Sequence, residues 1–249
     1  MPPTASRDAR VTHALDLLAP PGAVRTLLSV RLTERDAEDQ QYLRNTLGDP
    51  ADGMDPGEVA WHRDRLDQGG LLHTGAAGPE ATPAAKELWS VFLAAYSWAV
   101  RYRRALATEQ HTVVAVEEVL RLGAHPLTAT VLDRLRDGAA TREDLARPMT
   151  AAARAQLPDH LDVLVQQQLV DRLPDGALRT TPAGRALAGV HDDLASWYGQ
   201  YLDAATAPAT ERAAAATARR APHGSSSPST PPENTGETHH RRHRAAPRH

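Results

Sequence analysis

Arginine and histidine carry most of the chemistry that this sequence offers. The 249 residues include no cysteine, which excludes disulfide scaffolds, zinc-thiolate sites and thiol-based redox sensing. We find no P-loop, dinucleotide fingerprint, HExxH or Gly-x-Ser-x-Gly motif. Arg172 and Arg179 flank a Pro-Asp-Gly turn, and Arg142 and Arg147 lie near the helix that precedes it. Guanidinium groups there can contact phosphate, and ordinary surface charge is the competing interpretation.

The elements that would position these side chains repeat along the chain. Thr82 to Tyr102 and Thr181 to Tyr201 both open with Thr-Pro-Ala and align at a shift of 99 positions (181 − 82). Threonine is a good N-cap, and proline fits the first turn of a helix. Apolar residues follow at steps of three and four, so each stretch predicts one amphipathic helix. The alignment pairs Trp98 with Trp197 and Tyr102 with Tyr201.

Further matches extend the repeat upstream. A shift of 105 aligns the helix, Pro-rich break and helix that begin at Val11 with those that begin at Val116. A shift of 98 aligns residues 57–72, within the stretch from Met54 to Leu72, with Ala155 to Val170, and a turn-centred segment follows each. Each copy therefore predicts a helix, a second helix, a variable helix, a long helix, a two-stranded wing and a closing helix. That order is typical of a winged helix-turn-helix.

Several of these segments resemble a known family. ALDLLAPPGAVRTLLSVRL, GEVAWHRDRLDQGGLL, TPAAKEL and Trp98 are similar to the HxlR-type branch of the MarR-like winged-helix transcriptional regulators. The second copy matches at LRLGAHPLTATVLDRL, LVQQQLV, RTTPAGRAL and Trp197. The N-terminal Cys-Pro of many relatives and their Gly-x-Trp are missing. The resemblance implies a mainly α fold with small β-wings, in which tandem winged helix-turn-helix domains form an intrachain pseudo-dimer.

The repeat and the composition predict four segments. Residues 1–9 are expected to be a flexible N-terminus, 10–107 winged-helix domain 1, 108–204 winged-helix domain 2, and 205–249 a disordered basic tail. The tail holds seven Arg and three Glu, a charge of +4, so the preceding part carries −3 − 4 = −7. His239, His240 and His243 of the tail could bind a metal weakly, and attraction to nucleic acid is the competing interpretation.

The resemblance also assigns roles to individual residues. It makes 56–65 and 152–166 the recognition helices, which would enter the major groove of DNA while the wing touches phosphate or the minor groove. It implies DNA contacts from His62, Arg63, Arg65, Arg142, Arg147, Arg154, His160, Gln166, Arg172 and Arg179. A solvated helix face is the competing interpretation of His62, Arg63 and Arg65. For Gln166, with Gln168, it is the wet end of a helix, and for the arginines in the wing and near the preceding helix it is ordinary surface charge. It implies interdomain packing by Trp98, Tyr102, Trp197 and Tyr201, and an effector pocket lined by the two tryptophans is the alternative.

The charge around the first recognition helix argues against DNA binding. Arg63 and Arg65 stand among four acids between Asp55 and Asp67, although phosphate contacts need cations. Pro158 lies inside the second recognition helix and is expected to kink or restart it. These features favour a degenerate regulator that acts through protein partners or a ligand.

The predicted function is a sequence-specific, DNA-binding transcriptional regulator of bacterial type, with an operator in double-stranded DNA as its partner. The alternative is a degenerate winged-helix protein that acts through protein–protein or ligand interaction without DNA binding. A third reading is a DNA glycosylase, because Gln166 to Gln168 superficially matches a catalytic Gln-x-Gln, but that family is longer and an enzyme is not predicted. We expect a cytoplasmic protein without membrane contact, cofactor or metal. A small-molecule effector and further homodimerisation remain open.

Overall fold

The fold is mainly helical, with two small two-stranded sheets, which confirms the predicted class at that level. The computed structural model describes residues 5–34, 40–41, 50, 53–76, 78–103 and 112–203. The predicted basic tail, and most of the variable part of the first copy, lie outside the described residues. Within the described ranges, no helix has both the length and the apolar character needed to cross a membrane.

The N-terminal half, defined here as residues 5–103, contains one hairpin and five helices whose bounds the structure describes, and residues 40 and 41 are also helical. They are α1 (Arg7–Leu18), α2 (Ala23–Thr33), α3 (Pro56–Gln68), β1 (Leu72–Gly75), β2 (Gly78–Ala81), α4 (Pro83–Glu87) and α5 (Trp89–Tyr102). The hairpin is antiparallel and pairs Leu72 with Ala81. Helix α1 begins inside the predicted flexible N-terminus, because the Ser6 hydroxyl accepts a hydrogen bond from the Ala9 N–H at 3.2 Å. Residues 7–9 are therefore helical, unlike the expectation.

The C-terminal half, residues 112–203, follows a similar order, with a short helix added before the long one and a single closing helix in place of α4 and α5. Its elements are α6 (Thr112–Gly123), α7 (Pro126–Arg134), α8 (Arg142–Ala146), α9 (Ala151–Gln166), β3 (Val170–Arg172), β4 (Leu178–Thr180) and α10 (Pro182–Tyr201). Helix α8 starts with a capping box, in which the Thr141 hydroxyl and the Asp144 carboxylate each accept the other residue's backbone N–H. The hairpin turns at Gly176, whose φ of 83° lies in the left-handed region, as the Pro-Asp-Gly sequence predicts.

Two helices differ from the sequence-based expectation. The predicted single helix over 82–102 is interrupted at Leu88, whose N–H donates to the Ala85 carbonyl at 3.4 Å and tightens the chain into a turn. Helix α9, in contrast, runs unbroken through Pro158, so the expected restart there is wrong. Pro158 is exposed, and the loss of one backbone donor leaves helical turns on both sides.

The same hydrogen bonds join the hairpin to the closing helix in both halves. The Thr82 hydroxyl donates to the Gly70 carbonyl at 2.8 Å, and the Thr181 hydroxyl donates to the Gln168 carbonyl at 2.7 Å. Both acceptor residues have positive φ, 74° at Gly70 and 57° at Gln168. Glycine adopts this conformation freely, whereas Gln168 adopts it at a steric cost. The backbone path after the long helix is therefore alike in the two halves.

The two halves share one core. Helix α1 packs on α10, α6 packs on α5, and α5 packs on α10. The first helix of each half thus contacts the closing helix of the other half. Buried apolar side chains from both halves belong to one continuous cluster, and all described residues belong to one compact unit. This arrangement leaves α3 and α9, each with its hairpin, toward the outside of the shared helical layer, where several of their side chains are exposed.

Candidate nucleic-acid interface

A groove lies between α8, α9 and the second hairpin. It encloses about 440 Å³ and is lined by Thr141 and Arg142 from the start of α8, Asp162 from α9 and Arg172 from the hairpin, among others. The Arg172 guanidinium donates to the Asp162 carboxylate at 2.8 Å. This contact ties the hairpin to the exposed side of α9, so both elements contribute to one surface.

Two of the predicted DNA-contacting arginines, Arg142 and Arg172, line this groove. Arg147 follows α8 and Arg179 lies on β4, and each of the four has an acidic neighbour. The nitrogen–oxygen distances are 3.3 Å for Arg142–Glu143, 3.0 Å for Arg147–Asp144, 2.8 Å for Arg172–Asp162 and 3.7 Å for Arg179–Asp171. All four arginine side chains are more than half exposed. Exposed ion pairs of this kind contribute only about 0–1 kcal/mol, so an incoming phosphate can displace the carboxylate.

Hydrogen bonding sets the ionisation of one of these acids. The hydroxyl and the backbone N–H of Thr141 lower the pKa of Asp144, and Arg147 lowers it further. Asp144 is therefore charged at neutral pH and holds Arg147 through an ion pair. Its capping role means that phosphate binding at Arg147 would leave the start of α8 intact.

Helix α9 also presents predicted contact residues directly to solvent. Arg154 and Gln166 are exposed, and in the described part of the chain Arg154 has neither a hydrogen-bond partner nor an ion-pair partner. Asp159 and Asp162 are exposed on the same helix. The solvent face of α9 thus combines one unpaired guanidinium, two amides (Gln156 and Gln166) and two carboxylates.

The two predicted histidines are buried rather than presented to solvent. Only 3% of His62 and 8% of His160 are exposed. A Cβ atom added at Gly22, which precedes α2, would lie 2.9 Å from His62 Nε2, and His160 Nε2 lies 3.0 Å from the Thr128 hydroxyl of α7. Each histidine therefore packs the long helix of its half against the second helix. Neither imidazole can reach a base edge without unpacking, so the base-contact expectation does not fit their positions.

A second groove, which the sequence did not indicate, lies on the other side of α9. It encloses about 540 Å³ and is lined by Arg103, Arg121, His125, His160 and Val163, among others. The rings of His125 and His160 stack with centroids 3.9 Å apart. Burial lowers the pKa of His160 to about 4, with a smaller contribution from His125, and burial also lowers the pKa of His125. Both rings are therefore neutral at pH 7.

The solvent face of α3 is more acidic than that of α9. Arg63 is exposed and, among the described residues, has no polar partner. Arg65 is half-buried: its guanidinium donates to the Asp16 carbonyl at 2.5 Å and lies 5.6 Å from the centre of the Trp61 ring. Glu58, Asp64 and Asp67 are also exposed on this helix.

The predicted packing aromatics lie where the two halves meet. The Trp98 indole N–H donates to the Ala183 carbonyl at 2.9 Å, and the Trp197 indole N–H donates to the Ala84 carbonyl at 2.8 Å. Donors and acceptors are each 99 positions apart (197 − 98 and 183 − 84). Each tryptophan therefore makes the same hydrogen bond to the opposite half. We call these two bonds the tryptophan seam.

The two tyrosines lie at the edges of this seam. The Tyr102 ring packs 5.6 Å from the Trp98 ring, and Tyr201 is half-buried against the shared core. A cavity of about 410 Å³ between α5 and α10 is lined by Trp98 and Tyr102 but not by Trp197. The alternative expectation is an effector pocket lined by both tryptophans. This cavity has only one of them in its lining.

A buried glutamate forms another contact between the halves. Glu117 of α6 accepts hydrogen bonds from the backbone N–H groups of Gly22 and Arg25 at 3.0 and 3.1 Å. Its second oxygen lies 3.3 Å from Arg25 Nε. A carboxylate from the C-terminal half thus caps α2 of the N-terminal half. The only sequence signal for it is an acid within the apolar run VVAVEEVL, which does not distinguish Glu117 from the adjacent Glu118.

Comparison with known proteins adds no relative to this geometry. No protein-family model, curated protein or solved structure matches the chain.

Proposed function

We propose that the chain is a DNA-binding transcriptional regulator made of two tandem winged helix-turn-helix units, fused as an intrachain pseudo-dimer. The observation that carries this proposal is the tryptophan seam. Matched donors and acceptors, 99 positions apart, exchange hydrogen bonds across the contact, as in an isologous interface between two copies of one fold. The common order of helices and hairpins in the two halves supports the same interpretation.

In this proposal α9 is a recognition helix and the β3–β4 hairpin is its wing. The exposed cations beside α9 would neutralise DNA phosphates, and Gln166 would reach base edges from the same helix. The proposed contact set is Arg142, Arg147, Arg154, Gln166, Arg172 and Arg179. His62 and His160 instead hold α3 and α9 against the second helix of each unit. Their role is to orient the long helices.

A second candidate function is interaction with a protein or ligand without DNA binding. The observation that favours it is the pairing of Arg142, Arg147, Arg172 and Arg179 with acids, together with the acidic face of α3. A phosphate backbone must outcompete every one of these carboxylates. If it fails to do so, the groove remains neutralised and another partner must be sought.

Fluorescence anisotropy of the full chain with labelled duplexes from the region upstream of its own locus separates the two candidates. The DNA-binding proposal predicts an affinity that weakens as salt rises from about 50 to about 200 mM. Replacement of Arg154 and Arg172 by Ala should weaken binding about a hundredfold. Arg101→Ala, which removes one exposed charge from α5, is the matched control and should leave binding unchanged. Folded protein that shows no salt-dependent binding would support the second candidate.

A further inference from the structure

We infer that DNA binding is one-sided: the C-terminal half makes the phosphate and base contacts, and the α3 and β1–β2 face of the N-terminal half makes none. This inference rests on the proposed function. The evidence is a comparison of corresponding elements in the two halves. Their order is similar, but the exposed cations are distributed differently.

The two hairpins differ in their ability to meet phosphate. The described residues of β1 and β2 include neither Arg nor Lys, and their charged pair is His73 with Glu80, 3.2 Å apart. The β3–β4 hairpin carries Arg172 and Arg179, both more than half exposed. A wing that contacts the DNA backbone needs such donors. Only the second hairpin supplies them.

The two long helices differ in the same direction. On α3, Arg63 is the one exposed guanidinium among the described residues of that helix, and Glu58, Asp64 and Asp67 are exposed on the same helix. Arg65 is held against α1 by its bond to the Asp16 carbonyl. A phosphate that approached this face would meet three carboxylates for one available cation, so repulsion would exceed attraction.

The C-terminal face is less acidic, and its cations are exchangeable. Residues 53–81 contain two Arg and five acids, a balance of −3, whereas residues 141–180 contain five Arg and six acids, a balance of −1. Four of those five arginines form exposed ion pairs, and Arg154 is unpaired within the described ranges. A phosphate accepts a bidentate pair of charge-assisted hydrogen bonds from a guanidinium. It can therefore replace a singly bonded surface carboxylate at low cost.

One-sided binding has consequences for the operator. A chain that uses both units would recognise two half-sites about one helical turn apart. A chain that uses only α9 and its wing would protect a single half-site, and the site would lack two-fold symmetry. The four ion-paired arginines and Arg154 would together make five phosphate contacts. At about −0.9 per contact, the slope of log K against log salt would be about −4.5.

The test compares Arg63→Ala with Arg154→Ala in the full chain. The two variants are matched, because each removes one exposed guanidinium without a polar partner from a long helix. The DNA is the best duplex selected by the full chain from a random 30-base-pair library, and affinity is measured by anisotropy at several salt concentrations. We expect Arg154→Ala to lower the magnitude of the salt slope by about 0.9 and to weaken binding about tenfold. We expect Arg63→Ala to change neither quantity.

Two results would overturn the inference while the proposed function stands. One is an equal loss of affinity and slope in the two variants. The other is a hydroxyl-radical footprint with two protected half-sites centred one helical turn apart on the selected duplex. Failure of the full chain to select or bind any duplex would overturn the proposed function and the one-sided inference together. Circular dichroism confirms that each variant is folded, and both residues are exposed, so folding should be preserved.

Discussion

Replacement of the seam tryptophans by phenylalanine, singly and together, tests how the halves are joined. Each variant removes an indole N–H and leaves the Ala183 or Ala84 carbonyl without its donor. Trp98 is 3% exposed and Trp197 5%, so water cannot readily take the donor's place. A lost neutral hydrogen bond costs about 0.5–1.5 kcal/mol. The smaller ring removes about 40 Å² of buried apolar surface, which adds about 1 kcal/mol.

Each single variant should therefore lower the free energy of unfolding by about 1.5–2.5 kcal/mol, by nearly equal amounts because the contacts match. The double variant should lose about 3–5 kcal/mol if the two sites act independently. The assay is urea unfolding at pH 7, followed by far-UV circular dichroism. Trp89→Phe is the control, since Trp89 is 41% exposed, and it should change stability by less than about 0.5 kcal/mol. A large loss in one seam variant and none in the other would refute the reciprocal contact.

Three other perturbations address packing, pH and charge. Gly184→Ala should lower unfolding free energy by about 1–3 kcal/mol in the urea assay, because its Cβ would overlap the Leu169 carbonyl oxygen; an unchanged midpoint would contradict this packing. Burial, with a smaller contribution from the charge of Arg7, lowers the pKa of His191 to about 4. The unfolded chain therefore binds its proton first as pH falls, and about 3 kcal/mol of stability should disappear between about pH 6.5 and 4. His191→Phe should flatten that loss in acid titrations, and an unaltered profile would exclude this group. Asp162→Asn should tighten DNA binding about threefold to tenfold by releasing Arg172, and weaker binding in anisotropy would argue against the groove.

Much of the local structure could be predicted from the sequence. Thr-Pro pairs marked the starts of α4 and α10, and Pro-Asp-Gly marked the second hairpin turn. These signals work because capping and turn conformations depend on neighbouring residues. The positions of Trp98 and Trp197 were likewise predicted to match, and their hydrogen bonds show matching partners. Local chemistry and an internal repeat therefore account for most of the element order.

The candidate site was harder to predict because its properties depend on contacts distant in sequence. His62 lies beside Gly22, which provides space only because it has no side chain. A histidine between an exposed tryptophan and an exposed arginine gives no sign of such burial. Arg172 meets Asp162 only after the chain has turned from α9 into the hairpin. The cations could thus be identified from the sequence, but their neutralisation by acids could not.

Glu117 shows the same limit for a charge inside the core. Its partners, the backbone N–H groups of Gly22 and Arg25, lie in the other half. Glu117 lies on the buried face of α6, where an unpaired acid would be unfavourable. A buried acid must have a polar partner. Which groups form that partner can be known only from the way α6 packs on α2.

The most direct test of the central claim is the stoichiometry of the complex between the full chain and its selected duplex. In an anisotropy titration at about 50 mM salt, with DNA well above Kd, a fused pseudo-dimer predicts saturation at one chain per duplex. Raising the salt to about 200 mM should weaken that complex by roughly 100-fold or more. Saturation at two chains per duplex, or no salt-dependent complex at all, would contradict a single chain that acts as a complete DNA-binding regulator.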